Sequence, residues 1–417
     1  MSALLYEKLK VWRTDMEKHE KSFIKGALSG ALIMLSVVIF GGCAWRVIGN
    51  KAQSNESSAV QAESDAQTEK KLKIIGELID SQYLYSDDID EKALQDGIYS
   101  GYVSALGDPY TVYYDEEQTK DLLDSTSGEY SGVGAVLSQD LKTGLVTIVG
   151  VYKDSPAEEA GLKEGDILYQ VDDRELGGED LSETVTWIKG EEGTDVVLHV
   201  YRGENKEAVE CKATRRKIEV QTVEYEMKEG NTGYIRVTEF DTVTYEQFKN
   251  ALADLENQGM ESLVIDLRSN PGGNLDTTVD MLKLILPKGT IVSTKDKYGE
   301  EVEYTNEEDH EFKKPLAVLV NQYSASASEI FSGAVQDYGV GKIVGTTTFG
   351  KGIVQQIFDL QDGTCLKVTI SEYFTPNGRN IHKKGITPDV EVEYQADQEN
   401  QDADNQLEKA LEVVNGK

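Results

Sequence analysis

Three serines alternate with alanines in 321-NQYSASASEIFSGAVQDYG-339, directly before a glutamate and an apolar pattern of helical period. A hydroxyl at a helix N-terminus meets a dipole that favours developing negative charge, which suits a nucleophile. The same residues suit plain capping: Ser326-Ala-Ser-Glu329 fits a capping box, and Ser324 and Ser328 are equally good caps. The run alone names no nucleophile. Two other loops carry useful groups. The stretch 268-RSNPGGN-274 offers glycine N–H groups that can approach a ligand, and 346-TTTFGKG-352 offers Lys351 between glycines. Most lysines are solvated surface charges, and GKG lacks the GxxxxGK[ST] pattern of a phosphate-binding loop. Bases are scarce, for the four histidines are His19, His199, His310 and His382. His19 precedes an apolar segment near the N-terminus, and His199 sits inside a strand pattern. His310 and His382 remain possible bases, but neither follows an apolar strand. A Ser–His–Asp triad is the weaker option, and lysine the better base for an activated serine. Such a lysine must lose its proton near neutral pH, a shift of roughly three units or about 4 kcal/mol. Desolvation supplies shifts of that kind.

These loops need a frame. From Ile218 onward strands and helices alternate: GYIRVTEF, the helix YEQFKNALADLENQG, the apolar strand SLVIDLR, the helix LDTTVDMLKLILP, then LAVLVNQ, SEIFSGAVQDYG and KIVGTTT. Unbroken apolar strands between helices predict a buried, mostly parallel sheet in an α/β domain. In such sheets reactive groups gather at the carboxyl ends of strands, where all three loops fall. An Asn-Gly turn in 374-FTPNGRNIHKKGITPD-389 predicts a hairpin, and an acidic, solvated tail precedes a short terminal helix. Residues 128–214 read differently. GVGAVLSQD, GLVTIVGVY, DILYQVDD and DVVLHVYRG are β-rich and bounded by glycine turns. Within them 155-SPAEEAGLKEGD-166 predicts a short helix capped by Ser155 with Pro156 at its first position, and a second helix covers about 182–188. Before this unit, helical periodicity predicts helices over about 72–83, 91–106 and 117–126, preceded by a polar linker over 47–70.

The chain has 417 residues, room for two or three domains, and 75 acidic against 42 basic residues give a formal charge of −33. That excess repels phosphate backbones and argues against nucleic-acid binding. One segment departs from the polar texture. Residues 26–46 open with GALSGALIMLSVVIFGGCAW, uncharged and long enough to span a bilayer, after Lys8, Lys10, Arg13, Lys18, Lys21 and Lys25. The positive-inside rule leaves residues 1–25 in the cytoplasm and the remainder outside the cell. A cleaved signal peptide is the alternative, but the polar lead is long for one. Cys43, Cys211 and Cys365 show no metal-binding spacing, so no metal or other cofactor is implied. A Cys211–Cys365 disulfide is permitted outside the cell, though two buried small hydrophobes is the preferred reading.

NPGG, SASASEI and FGKGxVQ, in that order, resemble the carboxyl-terminal processing peptidases, serine proteases that use a Ser–Lys dyad. The likeness runs from about Leu72 to the end. In the β unit, 130-YSGVGA-135 and 155-SPAEEAGLKEGDILYQVDD-173 resemble the PDZ domain those proteases carry. The resemblance implies an α/β core of the crotonase/ClpP-like type over 215–395, a PDZ domain over 128–214, an N-terminal helical region over 71–127 and a tail over 396–417. It assigns Ser326 as nucleophile, Lys351 as general base and Gln355 as the residue orienting the lysine amine. The N–H groups of Gly272 and Ala327 become the oxyanion hole, and Asp337 a structural support. Gly132, Val133, Gly134 and Ala135 would hold a substrate's terminal carboxylate while a strand edge pairs with its backbone, apolar final residues being preferred. Relatives often carry arginine at the position of Lys189, which is linked to coupling between PDZ and core, and lysine cannot reproduce arginine's fork. Some relatives dimerise through the helical segment 71–106. The competing readings are an inactive PDZ-bearing binding protein, which would lack Ser326 or Lys351, and a crotonase-type acyl-CoA enzyme, which an extracytoplasmic PDZ-bearing chain suits poorly.

Overall fold

The computed structural model describes residues 55–416 apart from 141, 179, 204, 309–311, 397–399 and 401–402, with side chains from residue 66 onward. The expected cytoplasmic segment, the apolar segment 26–46, Cys43, His19 and His310 lie outside the described residues. Among those described, no helix is long and apolar enough to cross a membrane.

The first helix, α1 (Asn55–Gln82), starts well before the position its apolar residues predict. Its polar first half is rich in Ala, Glu and Gln, good helix formers that need no apolar stripe to continue a turn. Helix α2 (Glu91–Ser104) begins at Asp90, whose carboxylate accepts from the Lys92 and Ala93 N–H groups. The chain then forms a short strand, β1 (Val112–Tyr114), that periodicity does not reveal. It pairs antiparallel with residues 365–367, so this region adds a strand to a sheet of the α/β domain. Helix α3 (Glu116–Ser127) follows, with a capping box between Asp115 and Gln118 and Gly128 closing it in a left-handed conformation.

The β-rich unit comprises β2 (Glu129–Gly132), β3 (Ala135–Gln139), β4 (Val146–Val151), β5 (Ile167–Val171), β6 (Arg174–Glu175), β7 (Asp195–Arg202), β8 (Glu207–Thr214) and β9 (Arg216–Glu219). Strands β3-β4-β5-β7-β8 form one sheet with β6 beside β5, while β2 and β9 make a separate ribbon where the chain enters and leaves. Helix α4 (Pro156–Glu159) has the expected Ser155 cap and Pro156 start, and α5 (Leu181–Ile188) is capped by Asp180. Alternate residues Val196, Leu198 and Val200 enter the core, as a strand with one buried face requires. Cys211 is buried there, as is Cys365 elsewhere, and among the described residues both are free thiols, so the two do not pair with each other.

The α/β domain has two sheets. Its strands are β10 (Val223–Lys228), β11 (Thr232–Val237), β12 (Ser262–Asp266), β13 (Gly289–Asp296), β14 (Glu301–Asn306), β15 (Leu316–Val320), β16 (Lys342–Gly345), β17 (Ile353–Asp359), β18 (Cys365–Phe374) and β19 (Val390–Glu391). One sheet runs β10-β11-β12-β15-β16-β19, parallel from β11 onward, and every residue of β12 and β15 is buried. The other, antiparallel, runs β1-β18-β13-β14 with β17 also on β18. The helices α6 (Thr244–Asn257), α7 (Leu275–Lys283) and α8 (Ala327–Tyr338) share the main apolar core with both sheets through Phe248, Leu282 and Phe331. The last helix, α9 (Asn405–Val414), covers the other face of the parallel sheet, packing Ala410 and Val414 on Val264, Leu319 and Val344. The acidic tail is therefore not wholly solvated. Asp404 caps α9 and pairs with Arg268, which also binds Asp266, locking the C-terminal helix to the end of β12.

Candidate active site

The three serines of the SASASE run do different work. Ser324 Oγ donates to the Leu267 carbonyl at 2.7 Å and accepts from the Asn321 N–H at 2.9 Å, joining its loop to the end of β12. Ser328 Oγ donates to the Asn270 carbonyl at 3.0 Å. Ser326 Oγ is buried and, among the described residues, has no hydrogen-bond partner. Its backbone is also unusual, with φ 55° and ψ −112°, a left-handed conformation that costs a residue with a Cβ about 1–3 kcal/mol. The surroundings hold it there: Tyr373 Oη donates to the Ser326 carbonyl at 3.0 Å, and Gly272 lies directly against it. A Cβ on Gly272 would come within 2.8 Å of Ser326 Cβ, so only glycine fits this approach.

Glu329 ties this serine to the lysine loop. Its Oε2 accepts from the Ser326 N–H at 2.9 Å and from the Lys351 N–H at 2.8 Å. Its Oε1 accepts from Thr348 Oγ1 at 2.6 Å and the Gly350 N–H at 2.7 Å. Burial pushes its carboxyl pKa up while these bonds pull it down, and the result remains raised. The expected capping pair is thus present in its Glu329 half, and the Ser326 hydroxyl is left over. Gly350, at φ 89°, and Gly352, packed on the His382 backbone, let the loop pass close to 381–385 and carry Lys351 inward. Lys351 is 1% exposed. Burial and then the charge of Lys367 bring its ammonium down to about 7, against the opposing pull of Glu329 and Asp108. Lys367 is also buried, mainly for that reason brought down to about 8, and donates to Tyr114 Oη at 2.6 Å.

Other expected site residues fall less simply. Gln355 is fully buried, but its Oε1 has no partner and its Nε2 makes a long 3.5 Å contact to Thr369 Oγ1. Gly272 lies beside Ser326 as expected, yet its N–H donates to Asn270 Oδ1 at 2.8 Å and does not point freely at an oxyanion position. That bond follows from the Asn-Pro-Gly-Gly sequence itself, an Asx turn closing on the residue two further on. Ala327 opens α8, whose first N–H groups lack intrahelical acceptors. Asp337 pairs with Arg379 and accepts from the Asn377 N–H at 2.9 Å, holding the Asn-Gly turn. His382 stands beside Gly352 with Nδ1 unpartnered, but no hydrogen bond joins it to Ser326.

Beside Gly272 a cleft takes Glu239 and Asp241, which flank the core residue Phe240 and point away from it. Burial, then the neighbouring Glu239, raises the Asp241 carboxyl to about 8. The folded chain then keeps a proton that the unfolded chain releases above about pH 4. Stability from this group falls as pH rises through that window. Asp241→Asn should therefore raise the thermal midpoint, and by more at about pH 8 than at about pH 5. Equal midpoints for variant and parent at the higher pH would contradict the burial of a carboxyl at this position.

In the β unit, strand β3 lies at the edge of its sheet with α5 alongside. The preceding loop is fixed by its carbonyls: Val133 accepts from the Ala157 N–H at 2.8 Å and Gly134 from the Tyr152 N–H at 2.9 Å. Gly132 and Ala135 end β2 and begin β3. Lys189 reaches Asp121 of α3 at 3.8 Å and lies over the Tyr130 ring. It thus links the unit to the N-terminal region.

Comparison with known proteins bears on three stretches of the chain. Residues 231–392 match the family model "Peptidase family S41", 147–202 match "PDZ domain", and 32–118 match "Activating protease CtpB N-terminal domain". The chain is 36% identical over 364 residues to the "Probable CtpA-like serine protease" of Staphylococcus epidermidis, covering 87% of this chain and 72% of that one. The chain belongs to peptidase family S41. It is likewise 34% identical over 373 residues to the "Carboxy-terminal processing protease CtpB" of Bacillus subtilis, covering 87% of this chain and 77% of the relative. Among solved structures, a photosystem II D1 C-terminal processing protease is 29% identical, with a TM-score of 0.46 over 77% of this chain and 88% of that one. This S41 chain is therefore a serine-type peptidase with a PDZ domain, and its substrates are peptides or proteins. Glu329, Tyr373, Lys367 and the segment 108–114 are the site components that the sequence did not flag. Only Glu329 gave a signal, as a capping partner.

Proposed function

We propose that this chain is a membrane-anchored endopeptidase acting outside the cell, in which Ser326 attacks the scissile carbonyl and Lys351 is its base. One observation carries this reading. Of the three candidate serines only Ser326 keeps an uncommitted hydroxyl, and its N–H shares one oxygen of Glu329 with the N–H of Lys351. With its pKa near 7, neutral Lys351 takes the Oγ proton as the Ser326 oxygen bonds to the carbonyl carbon. The new oxyanion is met by the Ala327 N–H at the positive end of α8, joined by Gly272 once its N–H leaves Asn270. The lysine passes its proton to the departing amine, and water then releases the acyl group from Ser326. Gln355 serves to orient the amine.

The remainder of the reading concerns delivery. The segment 26–46, uncharged up to Trp45 and with a basic flank, anchors the chain, leaving both folded domains outside. The free edge of β3 and the Gly132–Ala135 turn receive a substrate C-terminus by strand addition, apolar final residues being favoured. Exposed Leu78, Leu84, Tyr102 and Leu106 in the helical region support pairing of two chains. The test is digestion of an unfolded protein, and of peptides with apolar or amidated tails, by the full chain with Ser324, Ser326 or Ser328 replaced singly by alanine. Ser326→Ala is expected to be inert and folded, with the other two retaining cleavage. An active Ser326→Ala alongside an inert Ser328→Ala would move the nucleophile.

A further inference from the structure

The segment 108–114 belongs to the N-terminal region, yet it packs against the lysine side of the site. Its docking is specific: β1 pairs with β18 in the register Val112↔Lys367 and Tyr114↔Cys365. Immediately before β1, the ring of Tyr110 lies 4.6 Å from Lys351 Nζ. Asp108 builds the turn that presents this ring. Its Oδ1 accepts from the Tyr110 N–H at 3.0 Å, and its Oδ2 from Thr111 Oγ1 and Thr369 Oγ1, each at 2.7 Å. Thr369 in turn is the contact of Gln355 Nε2, and its N–H donates to Thr111 Oγ1 at 3.1 Å. Gln355, Thr369 and Lys367, all on the β17–β18 pair, are thus linked to this one segment by direct or relayed polar contacts.

We propose that Tyr110 and Asp108 are positioning residues of the peptidase site: Tyr110 shuts water away from the Lys351 amine, and Asp108, through Thr369, fixes Gln355. The proposal rests on Lys351 being the base. It makes the N-terminal region a working part of the active site, because undocking 108–114 would rehydrate the lysine and release its orienting amide together.

The physics gives signs that a structural role would not. An ammonium shut off from water is disfavoured, whereas an aromatic face attracts it, so the two influences of Tyr110 oppose each other. The other charged groups acting on the amine are Lys367 on β18, Glu329 on α8 and Asp108 itself, and Tyr110 variants leave all three in place. In Tyr110→Ala water reaches the amine. The acid limb of the kcat/KM profile should move to higher pH by about one unit, with about fivefold lower activity near pH 7. Tyr110→Leu keeps an apolar cover without a π face, and its limb should stay in place or move to lower pH. Tyr110→Phe, which retains both, should restore the parental limb. Asp108→Ala should lower kcat about tenfold, with KM little changed, and shift the limb downward because a carboxylate that favours the ammonium is gone.

The experiment is the pH dependence of peptide hydrolysis for these variants of the full chain, with circular dichroism and thermal midpoints recorded for each. If Tyr110→Ala does not fold, the Leu and Phe variants still decide. An upward shift in Tyr110→Leu, or a parental profile in Tyr110→Ala, overturns the proposal while an inert Lys351→Ala keeps the dyad. An active Lys351→Ala would instead bring down the dyad on which the proposal stands.

Discussion

Lys351→Met should abolish peptide hydrolysis and raise the thermal midpoint of the same protein. The lysine is 1% exposed and surrounded by groups that do not pay for its charge in full: burial and Lys367 outweigh Glu329 and Asp108. Its ammonium loses its proton near pH 7 in the folded chain, whereas an unfolded lysine holds it until about 10.4. A displacement of that size corresponds to roughly 4–5 kcal/mol between the two protonation states. The unfolded chain binds more protons between about pH 7 and 10, so the stability contributed by this residue rises with pH across that window. At and below neutrality the buried lysine is at its most destabilising. Methionine fills a similar volume without a charge, and the gain in midpoint should be largest near pH 7 and shrink towards pH 10. Hydrolysis should fall by at least about a thousandfold, since among the described residues no histidine stands in hydrogen-bond contact with Ser326 to replace the proposed base. Activity and stability therefore move in opposite directions from a single substitution. A lower midpoint at pH 7 would mean that the ammonium is well solvated, and with it the basis for a neutral Lys351 would go.

What the sequence made legible follows from how local the cause is. The fully buried strands 262–266 and 316–320, with their apolar runs, and the Ser155–Pro156 helix start are written in adjacent residues, and they form where expected. The two cysteines stay apart as small buried side chains, as their lack of any motif suggested. The short strand at 112–114 could not be read in that way, because its strand character comes from a partner more than two hundred residues later. Helix α9 looked like the end of a solvated tail, and only its contact with the far face of the parallel sheet makes it part of the core. At the site, it was the resemblance carried by three ordered motifs that assigned Ser326 and Lys351. The sequence alone left three serines equivalent, and what separates them is the set of carbonyls that Ser324 and Ser328 find across the fold. Gly272 illustrates the reverse case. Its closeness to Ser326 was expected, but the bond from its N–H to Asn270 is a local turn that the glycine pattern concealed.

Glu329→Gln should damage both properties that Lys351→Met separates. Four donors converge on this carboxylate, two on each oxygen: Thr348 Oγ1 and the Gly350 N–H on one, the Ser326 and Lys351 N–H groups on the other. Glutamine has one acceptor oxygen, so whichever way its amide turns, an NH2 group faces two donors in a fully buried place. Leaving two buried donors unsatisfied costs about 1–3 kcal/mol each, giving a loss of roughly 2–6 kcal/mol in stability. The kinetic effect comes from geometry. With the amide oxygen towards Thr348 and Gly350, no shared acceptor ties the Ser326 backbone to that of Lys351, and the positive-φ conformation at Ser326 loses one of its restraints. The kcat should drop at least about a hundredfold with KM little affected, because the group touches the reacting residues and not the bound peptide. Acid should act on the same joint: burial raises the carboxyl's pKa, so protonation begins at a higher pH than in the unfolded chain and replaces an acceptor with a donor. Parental kcat in Glu329→Gln would mean that the serine and lysine loops keep their places without a shared acceptor, which would remove the observation on which the dyad rests.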